Sequence, residues 1–285
     1  MIKFINYFIQ SVIIYCFFLV GFILGIKNSR IVFSYMFSLI GPIFRSKKIV
    51  KRNLEIFSSQ LTNKDKSKII NEMWKNYGKT FIEYIFLEKL RSDVKNVIIK
   101  GEENIFNVIE QKKPVIFVSG HFANFEIMSM EITKRNIKLA TIYRPLNNFF
   151  LNPFMEYLRK KNVCRYQIKK GISGVRDAIK FLKKDYSIAM MIDQRVSEGE
   201  KINFFNKPAL TTTLPAQLSM KLNLKIVPIF IERTKDDKFL IEFLKPIDNE
   251  KFQDKIELSK ELNKILENMI NRNPFQWIWT HNRWK

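Results

Sequence analysis

The sequence predicts an α/β fold with a mainly parallel central sheet flanked by helices, preceded by a transmembrane or membrane-inserted helix. Short apolar runs bounded by turn residues are typical of buried strands, and they alternate along the chain with segments of helical periodicity. An uncharged segment near the N-terminus is long enough to cross a membrane. The 285 residues, 46% of them hydrophobic, exclude a disordered chain and indicate one main domain with appendages.

The N-terminal segment predicts a membrane anchor over residues 1–26. Residues 4–26 contain no charged side chain, and as a helix they would cross about 30 Å of hydrocarbon. A cleaved signal peptide would usually have a shorter apolar region that ends in a small-residue cleavage site, and we find no such site here.

Residues 27–60 predict a basic interfacial helical region. Only Lys3 precedes the uncharged segment 4–26, whereas many basic residues follow it before the first acidic residue, Glu55: Lys27, Arg30, Arg45, Lys47, Lys48, Lys51 and Arg52. Since basic residues are retained on the cytoplasmic side, we expect the remaining chain to lie there, held against anionic headgroups. The apolar segment 31–40 is too short to span, and it either lies in the interface or packs as a helix beneath the domain.

Residues 61–285 are predicted to form the catalytic domain, because no internal repeat or low-complexity linker divides them. Strands are predicted at residues 97–99, 114–120, 138–143, 186–192, 225–232 and 239–244. Helices are predicted at residues 64–90, 102–111, 124–134, 153–161, 174–184, 214–222 and 255–271.

Three of the predicted strands end in side chains that can do chemistry. His121 follows the first of them, Arg144 the second and Asp193 the third. Carboxyl ends of parallel strands lie at one edge of a sheet, so we expect these side chains to converge. Alone, a histidine at this position would more often cap the next helix, but the convergence favours an active site.

The residues His121 to Glu126 read His-Phe-Ala-Asn-Phe-Glu, with a carboxylate five positions after one of only two histidines in the chain. An imidazole can act as a general base near neutral pH. A carboxylate beside it can hold its tautomer and stabilise the imidazolium that forms.

Five blocks in order resemble the lipid A biosynthesis (lauroyl/myristoyl) acyltransferases of the lysophospholipid-acyltransferase-like superfamily. The H-x4-D/E signature matches His121 to Glu126, and a YRP block matches Tyr143 to Pro145. A DQ block matches Asp193 and Gln194, and an FFGxxAxT-like block matches residues 204–211. The C-terminal block matches residues 274–285. The sequence departs from the family pattern at Asn206, where glycine is usual, and at Arg195 after the DQ pair.

This resemblance implies a glycerolipid-acyltransferase-like fold and transfer of a fatty acyl group from an acyl carrier protein thioester to a hydroxyl of a lipid A precursor. His121 would be the general base, and Glu126 would orient its ring and stabilise its charged form. Arg144 would recognise an anion such as phosphate unless it pairs with Asp193 or another acid. The other candidate substrate-binding residues are Asp193, Arg159, Arg165 and Asn124.

The formal net charge of +22 favours anionic partners. With the resemblance, these are acidic acyl carrier protein, a phosphorylated glycolipid acceptor and the anionic inner membrane surface. No nucleic-acid-binding signature is found, so no nucleic acid partner is expected. No Cys/His cluster or HExxH motif is present, so neither a metal nor another cofactor is expected.

Two alternatives stay open. One is a related acyltransferase that acts on another glycolipid or lysophospholipid, or that draws on acyl-CoA. The other is a non-catalytic basic membrane protein that binds anionic lipid or nucleic acid. Aromatic residues 149, 150 and 154 would line an acyl groove, dip into the membrane or pack in the core. Trp277, Trp279 and Trp284 suit an interfacial belt, although core burial is favoured for Trp277 and Trp279, and His281 is expected to be structural.

Overall fold

The computed structural model describes residues 2–44, 47–111 and 113–285, so Arg45 of the basic region lies outside the described residues. The strands within these ranges are β1 (Val97–Lys100), β2 (Ile116–Ser119), β3 (Leu139–Tyr143), β4 (Tyr166–Lys169), β5 (Ser187–Met191), β6 (Glu200–Phe204), β7 (Lys207–Thr211), β8 (Ile226–Arg233) and β9 (Phe239–Phe243).

A seven-stranded sheet forms the centre of the molecule, in the order β1-β9-β8-β2-β5-β3-β4. The five strands β8, β2, β5, β3 and β4 run parallel, while β9 pairs antiparallel with β8, and β1 runs parallel to β9. Strand β2 is buried along its whole length, as expected for a strand covered on both faces. The predicted mainly parallel sheet is confirmed, and all six predicted strands are present.

Strand β4 and the hairpin of β6 and β7 were not predicted from the sequence. Strand β4 is a four-residue edge strand whose Tyr166 and Lys169 are exposed, so it lacks a continuous apolar run. Strands β6 and β7 pair only with each other, and their outer faces carry lysine, glutamate and proline. Their signal is therefore weaker than that of the buried strands.

The helices match the predicted segments closely. Within the described residues they are α1 (Ile2–Phe44), α2 (Lys47–Phe57), α3 (Asn63–Glu83), α4 (Leu87–Ser92), α5 (Phe106–Gln111), α6 (Glu126–Lys134), α7 (Asn152–Asn162), α8 (Ile172–Leu182), α9 (Leu214–Leu222) and α10 (Lys255–Arg272). Short 3-10 turns lie at Tyr84–Phe86, Val94–Asn96, Glu102–Ile105 and Asn249–Lys251, and the first of them splits the helix predicted over 64–90.

Helix α1 bends sharply at Gly25, whose φ of 69° and ψ of 164° are not helical. A positive φ favours glycine because it has no Cβ. The bend folds the two halves toward each other, so that the rings of Phe17 and Phe33 lie 5.8 Å apart. Helix α1 is long and apolar enough to cross a membrane, by length and composition. The bend lies next to the boundary drawn at residue 26, and the division into anchor, interfacial region and catalytic domain stays a prediction.

The second half of α1 packs against α3, so residues 31–40 form a helix beneath the domain. A Cβ at Gly78 of α3 would lie only 2.1 Å from the carbonyl oxygen of Phe33, which shows how closely the two backbones approach. Arg30 is buried here and its Nε lies 2.7 Å from Glu83 Oε1. Arg30 is therefore not available to a membrane surface, whereas Lys47, Lys48 and Lys51 on α2 are exposed.

The C-terminal segment belongs to the core. Trp277, Trp279 and Trp284 are 1%, 0% and 5% exposed, so the core burial favoured for Trp277 and Trp279 is confirmed and the interfacial-belt alternative is wrong for all three. Asn53 of α2 donates through Nδ2 to the carbonyl oxygens of Trp279 and His281, at 2.8 and 2.7 Å. These bonds fix the last residues of the chain against the N-terminal helices.

Candidate active site

The ends of β2, β5 and β3 lie side by side at the carboxyl edge of the sheet, as predicted. Strand β5 pairs in parallel with both β2 and β3, so the residues after the three strands emerge together. His121, Gln194 and Arg144 all line one cavity of about 490 Å³ at this edge. The expected convergence of the three strand ends is confirmed.

His121 is held by Asp193. The Nδ1 atom of His121 lies 2.7 Å from Asp193 Oδ1, and the His121 backbone N–H donates to Oδ2 at 2.7 Å. Asp193 Oδ2 also accepts a hydrogen bond from Trp277 Nε1 at 2.9 Å. With Nδ1 bonded to the carboxylate, Nε2 is the ring nitrogen left to act on a substrate in the cavity.

The electrostatics of this pair favour charge on both groups. Burial by itself raises the pKa of Asp193, but the imidazole and the hydrogen bonds from His121 and Trp277 outweigh burial and lower the pKa to about 2. Burial lowers the pKa of His121, but Asp193, and to a smaller extent Glu126, raise it above its usual value. Asp193 is therefore ionised at neutral pH and supports an imidazolium.

Glu126 lies at the first turn of α6 and takes a different place from the one expected. Its Oε1 accepts hydrogen bonds from Tyr84 OH at 2.6 Å and from Arg159 Nε at 2.7 Å. The expectation that Glu126 orients the His121 ring does not match this geometry, because Asp193 occupies the Nδ1 position. In the sequence, Asp193 lies just after the end of β5 and Glu126 begins the helix after β2, and only the fold decides which of the two acids faces Nδ1.

Arg159 lies between Glu126 and Tyr84 on the wall of the cavity. Its Nη2 lies 2.8 Å from the Tyr84 hydroxyl, and its guanidinium sits over the Tyr84 ring at 5.5 Å from the centroid. The side chain is 13% exposed. Burial lowers its pKa, but Glu126 and Tyr84 raise it well above the usual range. Arg159 is thus a fixed positive charge and not a mobile surface group.

The side chain of Asn124, in the turn between β2 and α6, makes hydrogen bonds within the protein. Its side chain is fully buried, Nδ2 donates to Glu83 Oε2 at 2.9 Å, and Oδ1 accepts from the Glu126 backbone N–H at 3.2 Å. The turn passes through Ala123 at φ 43° and is tied down by Thr80 Oγ1, which donates to the Ala123 carbonyl at 2.9 Å. Asn124 therefore positions the turn and does not face the cavity.

Glu83 is the centre of a buried ion cluster behind this turn, which sequence analysis missed. Its carboxylate binds Arg30 Nε at 2.7 Å and Arg233 Nη1 and Nη2 at 2.5 and 2.9 Å. Burial raises the pKa of Glu83, but the two guanidinium groups outweigh burial and lower it to about 2. The cluster connects α1, α3 and the end of β8 to Asn124.

Three further cations line the mouth of the cavity: Arg144, Lys170 and Arg195. Strands β3 and β4 pair with Tyr143 opposite Lys169, so Arg144 and Lys170 follow side by side at the same edge. None of the three forms an ion pair within the described residues, and Arg195 Nε is buried without a hydrogen-bond partner there. Glu126, bound to Arg159, is the one carboxylate residue among the described lining residues.

Arg165 is not brought to this cavity. It precedes β4 and therefore lies at the amino edge of the sheet, opposite to His121, with its guanidinium 5.9 Å from the centroid of the Tyr166 ring. His281, by contrast, lines the cavity and accepts a hydrogen bond through Nε2 from the Arg195 backbone N–H at 2.9 Å. Burial lowers the pKa of His281, so it stays neutral and supports the segment after β5.

Backbone N–H groups after His121 are one possible set of donors to an oxyanion, but several of them are already engaged in hydrogen bonds. The N–H of Phe122 donates to Gly120, that of Ala123 to Gln276, and that of Ile127 to Asn124. The guanidinium of Arg159, which lines the cavity, is the alternative hydrogen-bond donor to an oxyanion.

Apolar side chains form the inner part of the cavity: Phe125, Met128, Ile142, Ala189, Met190, Met191, Val196 and Leu214. Phe149 and Phe150 lie outside it, against Phe4 of α1 at ring distances of 5.6 and 5.0 Å. In the part of the chain that the structure describes, no group of three His, Cys, Asp or Glu side chains could hold a metal ion.

Comparisons with known proteins agree with the sequence patterns. The family model described as bacterial lipid A biosynthesis acyltransferase matches residues 2–285. The lipid A biosynthesis lauroyltransferase of Escherichia coli (strain K12) is 24% identical over 249 residues, covering 85% of this chain and 79% of that protein. The lipid A biosynthesis palmitoleoyltransferase of the same organism is 24% identical over 250 residues, with the same coverage of both chains. The crystal structure of the 1-acyl-sn-glycerophosphate acyltransferase from Thermotoga maritima superposes with a TM-score of 0.44 at 15% identity, over 89% of this chain and 100% of that one.

Proposed function

The chain belongs to the bacterial lipid A biosynthesis acyltransferases, and on this basis we propose that it transfers a fatty acyl group from an acyl carrier protein thioester to a hydroxyl of a lipid A precursor. We place this reaction at the cytoplasmic face of the inner membrane. The apolar helix α1 would anchor the protein in the membrane, and the basic residues that follow its first half would keep the catalytic domain on the cytoplasmic side. The observation that carries the proposal is the His121–Asp193 pair at the wall of a partly apolar cavity.

His121 is the proposed general base. Its Nε2 takes the proton from the acceptor hydroxyl as the hydroxyl oxygen attacks the thioester carbonyl. The C–S bond of the resulting tetrahedral intermediate then breaks, the ester forms, and the imidazolium returns the proton to the leaving thiolate. Asp193 holds the ring through Nδ1 and stabilises the imidazolium, as the aspartate does in a serine protease triad. Because the acceptor hydroxyl is the nucleophile, the step needs no acyl-enzyme.

Glu126 and Arg159 are proposed to act as one charged unit. Glu126 raises the pKa of His121 and so favours the imidazolium, whereas the positive charge of Arg159 lowers this pKa, so the two charges partly offset each other at the ring. Arg159 is fixed by Glu126 and Tyr84, and its charge lies where it can favour the oxyanion of the tetrahedral intermediate. This assigns Arg159 to the reaction centre and leaves phosphate recognition to other cations.

The acceptor is proposed to reach the mouth of the cavity, where Arg144, Lys170 and Arg195 would bind its phosphate. These cations have no carboxylate partner within the described residues, and a guanidinium can bind two phosphate oxygens at once. The apolar side chains deeper in the cavity would contact the acyl chain. The net charge of +22 would speed the encounter with an acidic carrier protein in a salt-dependent way.

The test is acyl transfer from a panel of acyl carrier protein thioesters to a tetra-acylated lipid A precursor, with products measured by mass spectrometry. Wild type, His121→Ala and the control Lys100→Ala, on the far edge strand β1, would be purified in detergent. We expect a mass gain of one acyl chain in wild type and control that is lost in His121→Ala. Folded wild-type protein that yields no product from any donor would contradict the proposal, and acyl-CoA or a lysophospholipid would be tested next.

A further inference from the structure

A second cavity, of about 760 Å³, lies on the other side of the turn that carries His121. Arg233, at the end of β8, and Gln276 line it, so it opens at the same edge of the sheet as the candidate active site. Ala123 separates the two cavities, because its N–H donates to the Gln276 carbonyl at 3.2 Å and its carbonyl accepts from Asn76 Nδ2 at 3.4 Å. His121 is not among the residues that line this second cavity.

More cations than acids line the second cavity. Its cationic lining residues are Lys68, Lys75, Lys79, Arg233 and Lys235, against one acidic residue, Glu72. Three of the cations are neutralised: Lys75 by Glu72 at 2.8 Å, Lys79 by Asp237 at 2.7 Å and Arg233 by Glu83 at 2.5 Å.

Lys68 and Lys235 have no such partner within the described residues. Lys68 lies 5.6 Å above the Phe275 ring, and Asp65, one turn earlier, hydrogen-bonds to Thr62 at the start of α3 and forms no ion pair with Lys68, although the Lys68 charge helps to lower its pKa. Lys235 is exposed in the turn after β8. Two ammonium groups at the rim of one concave site form an attractive position for an anion.

One wall of the second cavity is apolar and belongs to the candidate membrane helix. Ile31 and Tyr35 of α1 line the cavity. Together with Leu39 and Ile43 they form an i, i+4 stripe whose members are 50%, 61%, 76% and 76% exposed. Because the stripe lies on one face of a helix and continues away from the cavity, an apolar chain could follow it while a polar group stays beside the lysines.

We propose that this second cavity binds an anionic phospholipid of the membrane, with its phosphate at Lys68 and Lys235 and its acyl chains along the stripe Ile31, Tyr35, Leu39 and Ile43. The combination of uncompensated lysines, an interfacial tyrosine and an exposed apolar stripe matches the chemistry of such a lipid at the membrane boundary. The bound lipid would hold the carboxyl edge of the sheet at a fixed distance from the bilayer. The mouth of the candidate active site, which lies at this edge, would be held at a fixed distance as well. This proposal does not depend on the acyl donor or acceptor.

Native mass spectrometry of the full chain in detergent tests the proposal, with phosphatidylglycerol and phosphatidylcholine titrated separately. Wild type is expected to retain phosphatidylglycerol in preference to phosphatidylcholine. Lys68→Gln/Lys235→Gln is expected to weaken phosphatidylglycerol binding about tenfold or more, because two cations near an anionic group are lost. The matched control is Lys183→Gln/Lys184→Gln, which removes two exposed lysines after α8 at the opposite edge of the sheet.

Equal losses in the two double variants would overturn the proposal, since they would indicate diffuse attraction by the net charge. Unchanged phosphatidylglycerol binding in Lys68→Gln/Lys235→Gln would overturn it as well. Competition by millimolar inorganic phosphate, with no preference for the intact lipid, would indicate a free-phosphate site instead. Circular dichroism checks that the variants are folded, and lipid retention is read out whether or not acyl transfer is observed.

Discussion

Asp193 Oδ1 lies 2.7 Å from Nδ1 of His121, although 72 positions separate the two residues in the chain. The pairing follows from strand order, because β5 lies directly beside β2 in the sheet. Trp277 donates to the same carboxylate from the C-terminal segment, so three distant parts of the chain meet at one acid. This relationship makes Asp193, and not the neighbouring Glu126, the group that sets the tautomer of His121.

Asp193→Asn should therefore abolish most of the activity. An amide at this position removes the charge that stabilises the imidazolium and can force the wrong ring tautomer, so kcat should fall on the order of 10³- to 10⁴-fold. The measurement is acyl transfer by the purified variant under saturating donor and acceptor. Because the two residues act as a unit, His121→Ala/Asp193→Asn should be no slower than the slower single variant. Multiplicative losses in the double variant would show that the residues act independently.

The rate should depend on pH through His121. Asp193 raises the pKa of His121 above its usual value of 6.5, so the neutral base becomes populated only above that raised pKa. We expect kcat/KM to increase with pH and to level off above neutrality. In Asp193→Asn the residual activity should level off at lower pH, because the carboxylate that raised the pKa is gone. A profile that keeps its midpoint in this variant would argue against His121 as the base.

Glu126→Gln distinguishes the role of the Glu126 carboxylate from that of the Asp193 carboxylate. It removes the counter-ion of the buried Arg159 but leaves the hydrogen bond between His121 and Asp193 in place. We expect a loss in kcat of about 10- to 100-fold, smaller than in Asp193→Asn, together with a lower melting temperature. Arg159→Lys keeps the positive charge beside Glu126, and its kcat and melting temperature are compared with those of Glu126→Gln. If Glu126→Gln is as inactive as His121→Ala while its melting temperature is unchanged, Glu126 is the more important acid for the chemistry.

The mouth of the cavity should control acceptor affinity. Arg144→Gln and Lys170→Gln each remove a charge that has no carboxylate partner within the described residues, so the fold should tolerate them. Each should raise KM for the phosphorylated acceptor about tenfold or more, because hydrogen bonds to charged groups are strong, while kcat changes little. Arg165→Gln, at the opposite edge of the sheet, is the matched control. An acceptor that lacks its phosphate should bind wild type and variants equally.

The fold was largely predictable from the sequence because its buried strands are continuous apolar runs, as in β2 and β5. The histidine and the three strand ends were predictable for the same reason, since each follows such a run. The partner of His121 was not, because it depends on the order of strands in space. Glu83 and Arg233 were missed because a buried ion cluster has no local sequence signal: the two residues are 150 positions apart.

The buried cluster around Glu83 predicts a specific loss of stability. Glu83→Gln leaves Arg30 and Arg233 buried without their common carboxylate, so the free energy of unfolding should fall by about 3–5 kcal/mol. Glu110→Gln, which changes an exposed glutamate on α5, should have little effect. Thermal unfolding in detergent, followed by circular dichroism, measures both variants.

The pH dependence of unfolding distinguishes this cluster from a general packing defect. The pKa of Glu83 is lowered from 4.5 to about 2, so its contribution to stability is fully present above pH 4.5 and is lost as the pH falls toward 2. Wild type should lose on the order of 3 kcal/mol more than Glu83→Gln across this window, since the variant has no carboxyl to protonate. Parallel curves for the two proteins between pH 4.5 and 2 would show that the Glu83 carboxylate is not stabilised by its arginines.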